Sequence, residues 1–183
     1  MPVADDVLLE AIARGDLGAL AEIYDRYHED LRRVVCRTRV PSPDADDVVH
    51  AVFMKLPEIA QSFEGAGSCR TWLSGIAVNF ALRHRRSFGR WLRAVASFAT
   101  TVEHETTRTP ETIAAGAEEL RALDRALGRL SARKRAVFVL IEMEGLGAEE
   151  AGHALGVPTA TVRTRLFHAK KELRSAMQRG GAW

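Results

Sequence analysis

A row of cationic and hydrogen-bonding side chains recurs at helical spacing near the C-terminus. Between residues 159 and 174 only one acid, Glu172, interrupts it. Arginine can bind guanine in the major groove, and threonine can contact a base or a phosphate. These residue types therefore indicate recognition of duplex DNA. The predicted DNA-facing residues are Thr161, Arg163, Thr164, Arg165, Phe167, His168, Lys170 and Lys171.

The elements that would hold this row are a short helix, a glycine turn and a longer helix. The short helix is predicted over 148–155, Gly156 supplies the turn, and the longer helix begins at Thr159 or Thr161. This combination is a helix-turn-helix, whose second helix can enter the major groove. The alternative interpretation is a solvent-exposed basic face on a structural helix. Because two helices joined by a glycine turn precede and contain this face, DNA binding is the favoured interpretation. The residues predicted to face inward are Val162, Leu166, Ala169 and Leu173.

A second basic segment lies in the N-terminal half. Five arginines between residues 83 and 93 follow one another without an acid, which predicts a track that faces phosphates. Asn79 precedes them, and asparagine is poorly suited to a helix interior, so a polar role is indicated. The track consists of Arg83, Arg85, Arg86, Arg90 and Arg93.

Helical periodicity accounts for the rest of the chain, and strand signals are almost absent, so the fold class is predicted to be all-α. One apolar stripe runs over 17–39, and a second block, opened by acids, contains Pro57, where we expect a kink or an early end. Ser68 is the predicted cap of a third helix. A stretch rich in Thr, Glu and Ala then separates two modules. The predicted division is 1–95, a linker over 96–117, and 118–183, with a thin core in each module.

Composition narrows the function classes. The chain has 183 residues, 46% hydrophobic and 27% charged, with a net charge of +2, so DNA binding must come from local faces. No apolar run approaches the roughly 18 residues that a membrane span needs, and no secretory signal is visible. Cys36 and Cys69 match no zinc pattern and are expected to be reduced in the cytoplasm. No catalytic motif is present, so we expect neither an enzyme nor a cofactor or metal.

Two segments carry a family resemblance. The C-terminal segment LSARKRAVFVLIEMEGLGAEEAGHALGVPTATVRTRLFHAKKELR resembles region 4 of bacterial sigma factors. The segment DADDVVHAVFMKLPEIAQSFEGAGSCRTWLSGIAVNFALRHRR resembles region 2. Two modules of this length look like the extracytoplasmic-function (group IV) class. The resemblance implies three partners: core RNA polymerase through its beta-prime coiled coil and beta flap, promoter DNA, and an anti-sigma factor.

The resemblance also implies residue roles in region 2. Polymerase docking falls on the helix that begins with the acids, although Asp44 and Asp47 could simply cap it. Recognition and melting of the minus-ten element fall on the loop and helix that follow, although Trp72 could equally be a packing residue. The implied docking residues are Asp44, Asp46, Asp47, His50, Phe53 and Leu56, and the implied minus-ten residues are Phe63, Glu64, Ser68, Arg70, Trp72, Asn79, Arg83, Arg85 and Arg86.

The chain departs from the family pattern at five places, which indicates an altered promoter more than a lost function. Docking is affected where His50-Ala51 replaces glutamine and an acid. In the DNA-contacting parts, Cys69, Gly75, Arg83 and His168 replace residues that are commonly aromatic, basic, acidic and arginine, respectively.

One alternative function and one question about a single residue remain beside the sigma-factor interpretation. A stand-alone helix-turn-helix regulator would need neither the docking acids nor the Phe63–Trp72 element, which argues against it. Cys36 could sense oxidants, but a cysteine on a helical stripe is more often a small core residue.

Overall fold

The computed structural model describes residues 3–65, 67–96 and 124–179. Every regular element in those ranges is helical, which confirms the all-α class. None of the described helices is both long and apolar enough to span a bilayer. The linker predicted for 96–117 lies outside the described residues, apart from the end of a helix at Ala96.

Four α-helices form the N-terminal module over its described residues. The Asp16 carboxylate caps the second by accepting hydrogen bonds from the backbone N–H groups of Gly18 and Ala19, at 2.8 and 3.1 Å. Ser68 caps the fourth as predicted, with its Oγ accepting from the N–H of Thr71 at 3.1 Å. The helices are α1 (Asp5–Ala13), α2 (Leu17–Arg37), α3 (Ser42–Ile59) and α4 (Cys69–Ala96).

Pro57 lies inside the last turn of α3, so the helix does not end at the proline, where we expect a kink or an early end. The helix stops at Ile59, two residues after the proline, and a single 3-10 turn, Ala60–Ser62, leads into the loop. Proline has no N–H to continue the helical bonding pattern, so an end near this position follows from its chemistry.

Helix α1 was not predicted from the sequence, although it completes the N-terminal core. Its side chains Leu8, Leu9 and Ile12 are buried against α2, α3 and the 3-10 turn. The stretch is short and opens with acids, so its apolar pattern covers little more than two turns. That length is too small for periodicity alone to distinguish it from a tail.

Four further helices lie in the described part of the C-terminal module, residues 124–179. The predicted start at Ser131 is correct, but the Ser131 side chain makes no capping hydrogen bond. The predicted turn at Gly156 is confirmed, because its φ of 62° lies in the left-handed region that glycine tolerates. The helices are α5 (124–129), α6 (Ala132–Phe138, extended by a π turn over Val139–Met143), α7 (Ala148–Leu155) and α8 (Thr159–Arg179).

The two modules share part of their core, which corrects the prediction of two separate cores. One apolar cluster belongs to α1–α4 alone. A second joins Val34, Val78 and Leu82 of the N-terminal module to the side chains of α6, α7 and α8, with all three at most 9% exposed. Thin cores gain stability by burying apolar surface against each other, and here α4 packs directly on α7.

Candidate nucleic-acid and polymerase interfaces

Helix α8 presents most of its predicted DNA-contacting residues to solvent. Val162, Ala169 and Leu173 are buried and Leu166 is half-buried, so the inward stripe is the predicted one. The opposite side is open, and Phe167 is 65% exposed, which is unusual for a large apolar side chain. Thr161 and Arg165 are half-buried, whereas Arg163, Thr164, Phe167, His168, Lys170 and Lys171 are exposed.

Few protein contacts restrain the exposed side chains of α8. The Lys170 ammonium lies 2.8 Å from Glu142, and the Thr164 hydroxyl donates to the carbonyl oxygen of Ala160 at 2.9 Å. The rings of Phe167 and His168 meet edge to face, with centroids 5.5 Å apart. Within the described ranges Arg163 makes no hydrogen bond or ion pair, so its guanidinium is available to a base or a phosphate.

The turn between α7 and α8 fixes the angle of the exposed helix. Gly152 lies under the turn, where an added Cβ would come within 2.9 Å of the Val157 carbonyl oxygen. The Glu150 carboxylate accepts from the backbone N–H of Gly147 at 2.6 Å and so closes the first turn of α7. These local contacts make the helix-turn-helix a defined support for the α8 face.

Helix α4 differs, because several of its predicted minus-ten residues contact other parts of the protein. Asn79 Nδ2 donates to the carbonyl oxygen of Ala154 in α7 at 3.1 Å, and Arg85 Nη1 donates to the carbonyl oxygens of Thr38 and Arg39 at 2.8 and 2.9 Å. The prediction of a continuous phosphate-facing track is therefore wrong for Arg85 in this arrangement. Arg83 and Arg86 are exposed, and the side chains of Arg90 and Arg93 lie outside the described residues.

The aromatic pair at the start of α4 is packed rather than open. Phe63 and Trp72 are half-buried against the N-terminal core, and their rings tilt by 57° at a centroid separation of 5.3 Å. This geometry agrees with the packing alternative for Trp72 and leaves part of each ring accessible. Glu64 and Ser68 beside them are exposed.

A buried carboxylate joins the two modules. The Glu144 side chain, with no exposed surface, accepts from Arg37 Nη1 at 2.6 Å, and its second oxygen lies 3.0 Å from Arg70 Nη2. The Arg70 contact is an ion pair without hydrogen-bond geometry. Arg70 also donates through Nε to Asp30 at 2.9 Å, and this guanidinium lowers the pKa of Asp30. We call Arg37, Arg70 and Glu144 the junction triad.

Arg135 is the second polar connection between the modules. Its side chain is buried, and it donates to the carbonyl oxygens of Leu127, Gly128 and Leu130 and, across the junction, to that of Thr38 at 3.2 Å. Burial lowers its pKa to about 10, and the charges of nearby arginines add to that effect. The guanidinium thus satisfies four backbone acceptors at once. The resemblance implies a DNA contact for Arg70, and no role was predicted for Arg37, Arg135 or Glu144, although Arg135 and Glu144 lie in the segment that resembles region 4.

The predicted docking helix α3 buries two of its six predicted contact residues. Phe53 and Leu56 are 4% and 0% exposed inside the core, so their assignment as docking anchors is corrected. Asp46 is held by Arg32 Nε at 2.9 Å, and the His50 ring approaches the Tyr24 hydroxyl at 3.2 Å. The outward side carries Asp47, His50 and Met54, the last 79% exposed. Met54 was missed because its apolar character resembles that of the core residues around it.

Two further features of the described ranges limit the chemistry. No group of three or more His, Cys, Asp or Glu side chains could hold a metal ion there. The charged surfaces in the described ranges are the basic faces of α4 and α8 and the outward side of α3, whose first turns carry acids. The fold and these faces define a two-module, all-helical DNA-binding protein.

Comparison with known proteins identifies the family. The family models that match are Sigma-70 region 2 over residues 23–91 and Sigma-70 region 4 over residues 120–173. The ECF RNA polymerase sigma-E factor of Escherichia coli strain K12 is 31% identical, over 96% of this chain and 95% of the relative. The chain belongs to the extracytoplasmic-function sigma factors of RNA polymerase. This membership confirms the sigma-factor interpretation over the stand-alone regulator.

Solved structures share the fold. CnrH in complex with the cytosolic domain of CnrY is 25% identical, with a TM-score of 0.65, over 98% of this chain and 100% of that chain. The sigma factor RpoE in complex with the anti-sigma factor NepR, from Bartonella quintana, is 22% identical, with a TM-score of 0.68, over 86% and 96% of the two chains.

Proposed function

We propose that this sigma factor directs promoter-specific initiation by placing the exposed face of α8 in the major groove of the minus-thirty-five element. The observation that carries the assignment is the unrestrained side of α8, where Arg163 and Lys171 are exposed beside the open Phe167 ring. Arginine discriminates guanine there, and the lysines contribute phosphate contacts that every sequence offers. Catalysis of RNA synthesis remains with the polymerase.

The outward side of α3 is the proposed polymerase-docking surface. It combines the Asp47 carboxylate and the exposed Met54 side chain, with the His50 ring between them. A carboxylate beside an apolar anchor suits a basic helix pair such as the beta-prime coiled coil, because charge orients the encounter and the buried apolar group holds it. The cytoplasm, where core polymerase acts, is the proposed site of action.

Capture of the minus-ten element by α4 requires the modules to separate. Asn79 donates to the carbonyl oxygen of Ala154 in α7, and Arg70 is paired with Glu144, so both are engaged in this closed arrangement. Once α7 moves away from α4, Asn79 and Arg70 lose these partners and become available to a single strand, with the Phe63 and Trp72 rings as stacking surfaces.

An anti-sigma factor is the proposed regulator. CnrH and the Bartonella RpoE were each solved with a bound partner chain, which in the second case is called an anti-sigma factor. A partner that binds both modules of this chain in their closed arrangement would withhold Arg70 and Asn79 from DNA. Differential affinity for the closed state is all that such inhibition requires.

Run-off transcription with bacterial core polymerase tests the proposal. We expect initiation at defined start sites on fragments of the source genome only when the protein is present. Asp47→Arg should abolish co-elution with core polymerase, because it replaces the docking charge by its opposite. Glu149→Arg is the matched control, since Glu149 is also exposed but lies on α7. Equal loss in both variants, or co-elution unaffected by Asp47→Arg, would remove α3 as the docking surface.

A further inference from the structure

A cavity lined by arginines lies where α4, α6 and the helix-turn-helix meet. Its volume is about 330 Å³, and it is open to solvent. Arg86 enters from α4, Arg133 from α6 and Arg165 from α8. The apolar part of the wall is formed by Leu82 and by the residues on either side of the Gly156 turn.

The three guanidiniums have no anionic partner in the part of the chain that the structure describes. Among the described residues, no carboxylate forms an ion pair with Arg86, Arg133 or Arg165. Burial, followed by the charge of Arg133, lowers the pKa of Arg165. Cations held close together without an acid repel one another, and an anion between them would relieve that repulsion.

We propose that this cavity is a phosphate-binding site that spans the two modules. Guanidinium groups present planar pairs of N–H donors that match phosphate oxygens, and three of them from three helices can surround one phosphate group. Because Arg86 belongs to the N-terminal module and Arg165 to the C-terminal one, a bound phosphate holds the closed arrangement together.

The phosphate can come from two sources with the same chemistry. One is a free phosphate or phosphate ester in solution, and the other is a phosphodiester of the DNA backbone. Arg133 belongs to neither group of predicted DNA-contacting residues. A substitution of Arg133 therefore tests the cavity without changing a predicted promoter contact. The inference therefore does not rest on the proposed function.

The test is calorimetric titration of the full chain with inorganic phosphate, at an ionic strength held constant with chloride. We expect saturable binding that Arg133→Gln weakens about tenfold, since a charge-assisted hydrogen-bonding partner is lost. Arg133→Lys, which keeps the charge but loses the planar donor pair, should be intermediate. Arg14→Gln is the matched control, because it removes the same charge from a 70% exposed side chain directly after the end of α1, outside the cavity.

A second arm distinguishes the two sources. Binding to a short duplex that contains no promoter element is measured as a function of salt. If the ligand is a backbone phosphate, Arg133→Gln lowers the slope of log affinity against log salt by about 1, and Arg14→Gln leaves it unchanged. If the ligand is a free phosphate, only the calorimetric affinity changes.

The inference is overturned if Arg133→Gln matches the wild type with both probes, or if Arg14→Gln weakens phosphate binding as much as Arg133→Gln does. Run-off transcription that stays intact while phosphate binding is absent would remove this site alone and leave the sigma-factor proposal standing.

Discussion

Helices α4 and α8 both carry predicted DNA-contacting residues, yet they use them differently in this structure. On α8 the guanidinium of Arg163 is exposed and has no partner among the described residues. On α4 the donors of Asn79 and Arg85 satisfy backbone carbonyls of neighbouring elements, and Arg70 belongs to the junction triad. The same donor types that bind DNA can therefore hold two modules together, and burial decides which they do.

Gly75, which has no side chain, allows α4 to pack closely against α7. Gly75 lies where α4 crosses α7, and a Cβ at this position would come within 2.8 Å of the Ala154 Cβ. By comparison with the family pattern, Gly75 is a position where a basic side chain has been lost. Its position in the structure shows a packing role, because a larger residue would separate the two helices at the point where Asn79 bonds to Ala154.

The largest effect should follow from Arg135→Ala. The variant removes the donor of the Gly128 and Leu130 carbonyls and one of two donors of the Thr38 and Leu127 carbonyls, so we expect the free energy of unfolding to fall by about 3 kcal/mol. Urea denaturation followed by circular dichroism measures it. Arg129→Ala, on the exposed side of α5, is the control and should change stability by less than about 0.5 kcal/mol. A loss below about 1 kcal/mol for Arg135→Ala would mean that the junction carries little of the stability.

Glu144→Gln should open the junction while keeping the side-chain volume. It removes the buried charge that pairs with Arg37 and Arg70, and we expect a loss of about 1–3 kcal/mol together with tighter binding of a labelled single-stranded oligonucleotide. Fluorescence anisotropy measures the binding. Glu149→Gln, at an exposed acid of α7 with no ion pair among the described residues, should leave it unchanged. Weaker single-strand binding in Glu144→Gln would contradict occlusion of the α4 face.

Arg163→Ala tests the exposed face of α8. If Arg163 binds a guanine, its loss should reduce promoter discrimination by about 1–3 kcal/mol, measured as the ratio of affinities for promoter and scrambled duplexes in complex with core polymerase. Lys171→Ala is the matched phosphate variant and should weaken both duplexes alike. An equal loss on every sequence for Arg163→Ala would assign it to the backbone instead.

Gly75→Ala should shift the closed arrangement with little net change in stability. Alanine favours α4 by about 1 kcal/mol over glycine, while the contact with Ala154 pushes α4 and α7 apart. We expect single-strand binding to increase, and the double variant Gly75→Ala/Ala154→Gly to return it to the wild-type level. Failure of the second substitution to restore the wild-type affinity would show that the effect arises within α4 alone.

The native thiols should react slowly at neutral pH. Burial raises the pKa of Cys69 to about 12 and also raises that of the half-buried Cys36. Because the folded pKa exceeds the unfolded value, the thiols stay protonated below about pH 9, and their stabilising effect is lost only at higher pH. Mass spectrometry after brief alkylation should show both unmodified. Rapid labelling of Cys36 at pH 7 would revive an oxidant-sensing role.

The sequence predicts local structure here better than long-range contacts. The ranges of α2, α7 and α8 follow from apolar spacing and glycine position, since those signals act within a few residues. The role of Arg135 does not follow, because its acceptor on Thr38 lies 97 residues away in the chain. The guanidinium of an arginine on α4 can donate to a backbone carbonyl or to a phosphate, and the sequence does not distinguish the two. For this reason Arg85 was predicted to face phosphate, whereas it donates to the carbonyl oxygens of Thr38 and Arg39.

The central claim is that the closed junction between α4 and α7 opens when the protein binds promoter DNA with polymerase. Spin labels at Glu58→Cys on α3 and Glu149→Cys on α7, in a chain with Cys36→Ser and Cys69→Ala, report the distance between the modules; both label sites are exposed. We predict one narrow distance distribution for the free protein and a longer distance in the complex with core polymerase and promoter. An unchanged distance in an active complex would contradict the claim.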